Sequence, residues 1–178
     1  MTPFKPHAFA ELPAIFHNRQ TWDGFNNPSL IIENAQLKKE LGLKNIDSQA
    51  LLDIFNGVLP IEDLKPLSMA YAGHQFGQYV EQLGDGRGLL LGEIDSPDGL
   101  IDIHLKGAGK TPYSRFGDGR AVLRSVIREY LCGEAMHALS IPTSRALMII
   151  GSDEVVIREK SETAAMLART AKTHIRFG

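Results

Sequence analysis

The chain of 178 residues contains one cysteine, Cys132, so no disulfide can form within it, and this points to a reducing compartment. Long apolar runs are missing too. Nowhere do the roughly 18 consecutive apolar residues of a membrane-spanning helix occur. The opening MTPFKPHAFAELPAIF has neither a basic region leading into a continuous apolar core nor a small-residue cleavage site. The expectation is a cytoplasmic protein with no membrane partner. Charge of one sign is also lacking: 19 Lys and Arg against 21 Asp and Glu give a net charge of −2, which removes any bulk attraction to nucleic acid. Repeats and low-complexity stretches are absent. What is present is an ordinary globular composition, 43% hydrophobic, long enough to bury a sizeable core. The last residues, AKTHIRFG, carry no polar tail, so the chain reads as the N-terminal part of something longer.

A further absence decides how Gly-Ala-Gly-Lys-Thr, residues 107–111, is read. A phosphate-gripping Walker loop needs Gly-x-x-x-x-Gly-Lys-Ser/Thr, because glycines let successive backbone N–H groups wrap a phosphate that the lysine also reaches. With Gly109, Lys110 and Thr111 at the end of that pattern, its first glycine falls on His104. Pro112 then stands where a long helix should begin. The P-loop reading fails, and Lys110 is expected to face solvent with its stem along the surface.

The first 60 or so residues are interrupted by prolines and hold two short helical patterns, NAQLKKELGL and SQALLDIFNG, each closed by glycine. From Leu83 the pattern becomes strand-like: two apolar runs flank Asp-Ser-Pro-Asp-Gly, a strong turn signal, and predict a hairpin. In its second strand Ile101, Ile103 and Leu105 alternate with Asp102, His104 and Lys106, so Lys106 lies on the face opposite the aliphatic row. DGRAVLRSVIREYLCGEAMHALS predicts a helix of about five turns with Asp118 as N-cap. Its face Val122, Val126, Glu129, Gly133, Met136 carries a carboxylate toward the core, which needs a partner there. Cys132 reads as a small core residue. SRALMIIGSDEVVIREK predicts a second hairpin turning at Gly151 to Glu154. AAMLARTAKTHIRFG is left open, its alanines favouring helix.

In order, these are a glycine-rich loop (Gly84-Asp85-Gly86-Arg87-Gly88), a strand ending in lysine, a helix with a half-buried glutamate 23 residues further on, and another hairpin. That is the order of the small lobe of a protein kinase, where the loop covers the ATP phosphates and the glutamate holds the strand lysine against them. A plainer reading stands beside it: a tight glycine turn and a surface ion pair of little consequence.

The stretches MAYAGHQFG, QLGDGRG, LKGAGKTPYSRFGDGRAVLRSVIREYL, IPTSRAL and THIRFG, from about Met69 to Gly178, resemble the selenoprotein O family of kinase-like proteins. The resemblance implies an α+β fold: a protein-kinase-like N-terminal lobe of antiparallel hairpins and a glutamate-bearing helix over 66–178, an extension over 1–65, and a large lobe beyond the chain. It implies ATP bound in a flipped orientation, with AMP transferred to Ser, Thr or Tyr hydroxyls of protein substrates. By position, Gly84, Gly86 and Arg87 would form the nucleotide loop, Lys106 would hold phosphate and Glu129 would pair with it. Asp118 and Gly119 would line the nucleotide, and Arg169 and Arg176 would bring guanidinium groups to its phosphates. Ser140 stands where a glycine is expected before IPT. The catalytic base and the ligands of Mg²⁺ or Mn²⁺ would lie beyond residue 178. Asp47, Asp53, Asp63, Asp95, Asp98, Asp102 and Asp153 read as caps, turns or surface residues, and His74 and His174 as structural rather than metal-binding. The alternative is a pseudokinase-like module that binds nucleotide or a partner and catalyses nothing.

Overall fold

The computed structural model describes residues 2–59, 61 and 64–175. Ten strands, all paired antiparallel, form one connected sheet. They are β1 (Phe4–Lys5), β2 (His17–Arg19), β3 (Ser29–Glu33), β4 (Leu67–Gln75), β5 (Gln78–Gly84), β6 (Gly88–Ser96), β7 (Gly99–Lys106), β8 (Ala121–Val122), β9 (Arg145–Ile157) and β10 (Ser161–Ala171). The main path runs β2-β4-β6-β7-β10-β9-β3, with β1 added to β6, β5 to β4 and β8 to β10. Among the described residues a 3-10 turn at Ala8–Glu11 and three α-helices accompany them: α1 (Ala35–Glu40), α2 (Ser48–Phe55) and α3 (Leu123–Ala138). The architecture is α+β, and residues from the first 65 contribute β1, β2 and β3 to the same sheet.

Both short helices form where the sequence places them. The Asn34 side chain caps α1 by accepting from the Leu37 N–H, and Asp47 caps α2 by accepting from that of Gln49. Gly42 and Gly57, with φ of 74° and 77°, close them in the left-handed conformation glycine tolerates. Leu37, Leu41, Leu51, Leu52 and Phe55 bury against Leu89, Leu91, Ile103 and Leu105 of the sheet, each burial worth about 1.5–3 kcal/mol. The opposite face is covered by α3, whose Val126, Leu123 and Tyr130 pack on Ala146, Ile149 and Leu167. The alternation in β7 therefore sends its aliphatic row to α1 and α2, and leaves Lys106 on the α3 side.

The β6–β7 hairpin forms as expected, Ser96 pairing with Gly99. Three expectations are corrected. The helix does not begin at Asp118: Ala121 and Val122 pair with Ala165 and Ala164 of β10, so α3 starts at Leu123 with no side-chain cap. Nor does the chain turn at Gly151 to Glu154. There β9 runs straight on, and the reversal comes at residues 158–160, where the Arg158 N–H donates to Lys160 O. The Gly-Ser-Asp signal marks a register shift between Thr163 and Ala165 on the neighbouring strand, and the Ile31 side chain lies close over Gly151. Cys132, expected in the core, is exposed on the outer side of α3.

The alanine-rich 161–171 is strand rather than helix, because it pairs with β7 on one side and β9 on the other. Partners of that kind override intrinsic propensity. The β4–β5 hairpin, not foreseen, turns on Phe76 and Gly77, both with positive φ (55° and 78°), a two-residue loop whose twist suits a hairpin. Ser140 follows α3 at φ 59°, the left-handed position after a helix that favours glycine. Ser140→Gly is therefore expected to stabilise the chain by about 0.5–1 kcal/mol, read as a rise in melting temperature of about 1–4 °C.

Candidate nucleotide site

The site starts from strand register. His104 and Lys106, two apart on β7, share a face, and their antiparallel partners on β10 are Arg169 and Leu167. Residues directly opposite in such a pair project to the same side, so Arg169 joins His104 and Lys106 beneath α3. From α3, Glu129 reaches down to both cations. Its Oε2 accepts from Lys106 Nζ and its Oε1 accepts from Arg169 Nη1 at 3.0 Å. Burial pushes the Glu129 carboxyl up, but Arg169 and Lys106 outweigh it and hold the group below its ordinary range.

Arg169 makes a second contact, Nη2 donating to His104 Nδ1 at 2.7 Å. The fully buried His104 imidazole is held down to about 3, first by burial and then by the Arg169 charge, so it is neutral. Its Nε2 lies 3.3 Å from Asp85 Oδ2, which also accepts from the Met69 N–H at 3.3 Å.

Asp85 belongs to the glycine-rich loop between β5 and β6. Around this loop folds the segment 107–120, and Gly-Ala-Gly-Lys-Thr acquires its role. Thr111 Oγ1 donates to Asp85 O at 2.8 Å and Ser114 Oγ to Gly86 O at 2.6 Å. A Cβ on Gly84 would stand 2.2 Å from the Tyr113 ring, and one on Gly86 2.8 Å from Tyr113 O. Glycine is thus required for close approach of backbone to buttress. Lys110 is exposed, as expected of a solvent lysine.

Asp118 and Gly119 close the far side. Arg158 grips the Asp118 carboxylate through two nitrogens at 2.7 and 2.8 Å, and this pairing, against partial burial, lowers its pKa. Gly119 at φ 74° brings its Cα so near Gly109 O that a Cβ would lie 2.0 Å away.

Between the glycine loop and segment 107–120 opens a cleft of about 930 Å³. It is lined by six cationic side chains, Arg87, Lys106, Arg115, Arg120, Arg158 and Arg169, against two carboxylates, Asp85 and Asp118. Among the described residues the Arg87 guanidinium makes no ion pair, and Arg115 donates only to the neutral Gln75 side chain. Of the other four, Lys106 and Arg169 pair with Glu129, Arg120 with Glu154 and Arg158 with Asp118; guanidinium forks of this kind suit phosphate oxygens. Of the residues singled out from sequence, Gly84, Gly86, Arg87, Lys106, Asp118, Gly119 and Arg169 line it, and Glu129 stands behind Lys106. Arg176 and Asp63 lie outside the described residues. Sequence reasoning missed Asp85, His104, Arg158 and the Thr111–Ser114 buttress. Only His104 carried a signal, since its spacing of two from Lys106 places it on the same face.

A second polar cluster adjoins the cleft through His174, whose ring stacks on His104. Asp102, expected at a turn or surface, is buried: its Oδ1 is 3.1 Å from His7 Nε2 and its Oδ2 accepts from the His174 N–H at 2.7 Å. Burial raises its pKa, but the hydrogen bonds from His174 and His7 prevail and bring it down to about 2. With Glu93, 3.5 Å from His7, the group has a metal-like composition. Its polarity is wrong for one. His7 Nδ1 accepts the Phe9 N–H at 2.8 Å, so Nδ1 has no room for the proton that a neutral imidazole would carry there once Nε2 ligated a metal. The cluster instead ties the N-terminal segment and residue 174 to β7. No helix among the described residues is long and apolar enough to cross a membrane.

Comparison with known proteins places this site in context. A family model described as "Protein adenylyltransferase SelO" matches residues 2–178. The chain is 53% identical over 173 residues to a protein nucleotidyltransferase YdiU of Vibrio parahaemolyticus, covering 97% of the chain and 35% of that protein. It is 50% identical over 175 residues to the protein of the same name from Thioalkalivibrio sulfidiphilus, and 51% over 175 residues to that from Myxococcus xanthus, in each case covering 97% of the chain and 36% of the relative. The chain thus spans about a third of the length of these relatives.

Proposed function

The chain belongs to the protein adenylyltransferase SelO family, and on that premise we propose that it is the nucleotide-binding part of an enzyme that transfers AMP from ATP to Ser, Thr or Tyr hydroxyls of proteins. In that reaction the hydroxyl oxygen bonds to the α-phosphorus, the bond from phosphorus to the bridging oxygen breaks, and pyrophosphate departs. The observation that carries the reading is the Lys106–Glu129–Arg169 cluster on the wall of a cationic cleft. A glycine loop, a strand lysine and a helix glutamate arranged this way are the working parts of a kinase-like small lobe.

Each residue has a physical task. Glu129 holds the flexible Lys106 stem in one place, so its ammonium meets phosphate rather than water. Arg169, fixed by the same carboxylate, presents a second cation. Gly84 and Gly86 let backbone approach the phosphates, and Arg87 supplies a charge not committed to an acidic partner. Electrostatic positioning of this kind, rather than covalent chemistry, dominates transfer at phosphorus.

Mg²⁺ or Mn²⁺, which the family implies, finds no uncommitted carboxylate among the described residues that line the cleft. Both cleft carboxylates are engaged, Asp85 by His104 and the Met69 N–H, Asp118 by Arg158 and the Arg120 N–H. Among the described residues the cleft lining therefore offers neither an uncommitted carboxylate for a hard cation nor one to accept the hydroxyl proton, and we assign the chain binding without turnover when alone. The same observation favours, as a second reading, a pseudokinase-like module that only binds. The two separate when the full-length protein is incubated with ATP labelled on the α- or the γ-phosphate. Transfer of AMP leaves α-label and no γ-label on protein. Retained γ-label would replace AMP transfer by phosphoryl transfer, and bound nucleotide with no label would favour the binding module.

A further inference from the structure

Arg169 is held on two sides, and only one of them belongs to the lysine–glutamate pair. The other is the buried His104 ring, whose Nδ1 lies 2.7 Å from Arg169 Nη2. A guanidinium has no lone pair to offer, so Nδ1 must be the acceptor and the single proton of a neutral imidazole must sit on Nε2. That nitrogen is 3.3 Å from Asp85 Oδ2. Asp85 in turn is the second residue of the glycine loop, its Oδ2 also accepting the Met69 N–H and its carbonyl receiving Thr111 Oγ1. The ring is packed in place: His174 stacks on it with centroids 5.0 Å apart, and a Cβ on Gly88 would stand 2.5 Å from its Cε1.

We propose that His104 and Asp85 are positioning residues of the nucleotide site, selecting the imidazole tautomer that accepts from Arg169 and thereby locking this arginine to the glycine loop. The inference rests on the nucleotide-binding reading of the cleft. Its logic is one of polarity. With the proton on Nε2, imidazole attracts the guanidinium; with the proton on Nδ1, two N–H groups face each other and Arg169 is turned away. Asp85 makes that choice, because its carboxylate accepts from Nε2 and cannot donate to it. A buried histidine is otherwise an expensive way to fill a sheet face. Here it transmits the position of one phosphate-covering element, the loop, to a cation on β10.

Side chains of matched size test this. Asparagine at 85 can set its carbonyl oxygen where Oδ2 stands, whereas leucine offers no acceptor. Phenylalanine at 104 keeps the ring and its stacking and removes both nitrogens. In the full-length protein, Asp85→Leu and His104→Phe are expected to raise the KM for ATP about tenfold, with Asp85→Asn within about twofold of wild type, the scale of coupling between contacting residues. Repeating the substitutions in an Arg169→Ala background provides the decisive comparison. If the pair acts through Arg169, neither Asp85→Leu nor His104→Phe adds further loss there. Equal effects with and without Arg169 would overturn the proposal and leave a purely structural anchor for the loop, as would Asp85→Leu and His104→Phe both at wild-type KM. Arg169→Ala alone at wild-type KM would instead remove Arg169 from the nucleotide site, the reading on which the inference depends.

Discussion

Lys106→Ala in the full-length protein is expected to lower AMP transfer by about 10²–10³-fold, the usual cost of deleting one preorganised charge at a reacting phosphate or oxyanion. Lys110→Ala, three residues from Gly107 in the Walker-like stretch, is expected to leave the rate within about twofold, since an exposed lysine off the cleft wall contributes a screened charge at most. The fold should survive the first substitution. Glu129 retains Arg169 at 3.0 Å, so no carboxylate is left without a cation, and the stability change should stay near 1 kcal/mol. Rates measured with α-labelled ATP, alongside melting curves of the same variants, separate a chemical loss from unfolding. A Lys110→Ala variant as slow as Lys106→Ala would return the site to the loop at 107–111.

Glu129→Gln has the second largest expected effect, and it reaches both activity and stability. The isosteric amide keeps the volume but leaves Lys106 and Arg169 facing each other without the negative charge between them. Breaking a buried pair costs about 3–5 kcal/mol. The Glu129 side chain is 26% exposed, so about 2 kcal/mol at pH 7 is the expectation once solvent screening is allowed for. Its carboxyl lies below the ordinary value of 4.5 in the folded chain. The sign follows: the stabilisation is complete above the unfolded pKa and is lost as pH falls through the folded one. Urea unfolding of wild type and Glu129→Gln should therefore differ most near neutrality and converge as pH falls through the lowered Glu129 pKa. AMP transfer should fall about 10–100-fold at pH 7, because both cations lose their fixed positions. A stability gap that does not shrink at any acid pH where the wild type still folds would show that the carboxylate is not what orders the pair.

The parts of this site that could be read from sequence are those encoded locally. The turn at Asp95 to Gly99 and the alternation of Ile103, His104, Leu105 and Lys106 are short-range signals, and they placed the lysine on its correct face. The helical period likewise turned Glu129 inward. What escaped was decided by distant partners. Residues 161–171 have an alanine content that suits a helix, and they become a strand only because β7 and β9 stand ready on both sides. Asp118 looks like an N-cap until Ala121 and Val122 are taken into the sheet and Arg158, 40 residues away, claims its carboxylate. Gly151 resembles a turn but is a place where Ile31 approaches. Asp85 and His104, 19 residues apart, meet only through the register of β6 on β7, so composition and spacing gave no hint of their bond. Cys132 reads as core because a free cysteine in mid-helix is usually buried, yet among the described residues it is exposed on α3.

The central claim is that the cationic cleft between the glycine loop and segment 107–120 receives the phosphates of ATP. Its most direct test is calorimetric titration of ATP into the chain, beside Lys106→Ala and Lys110→Ala. Saturable binding at one site is expected, weakened by salt, lost with Lys106→Ala and retained with Lys110→Ala. Binding that survives Lys106→Ala unchanged would contradict it.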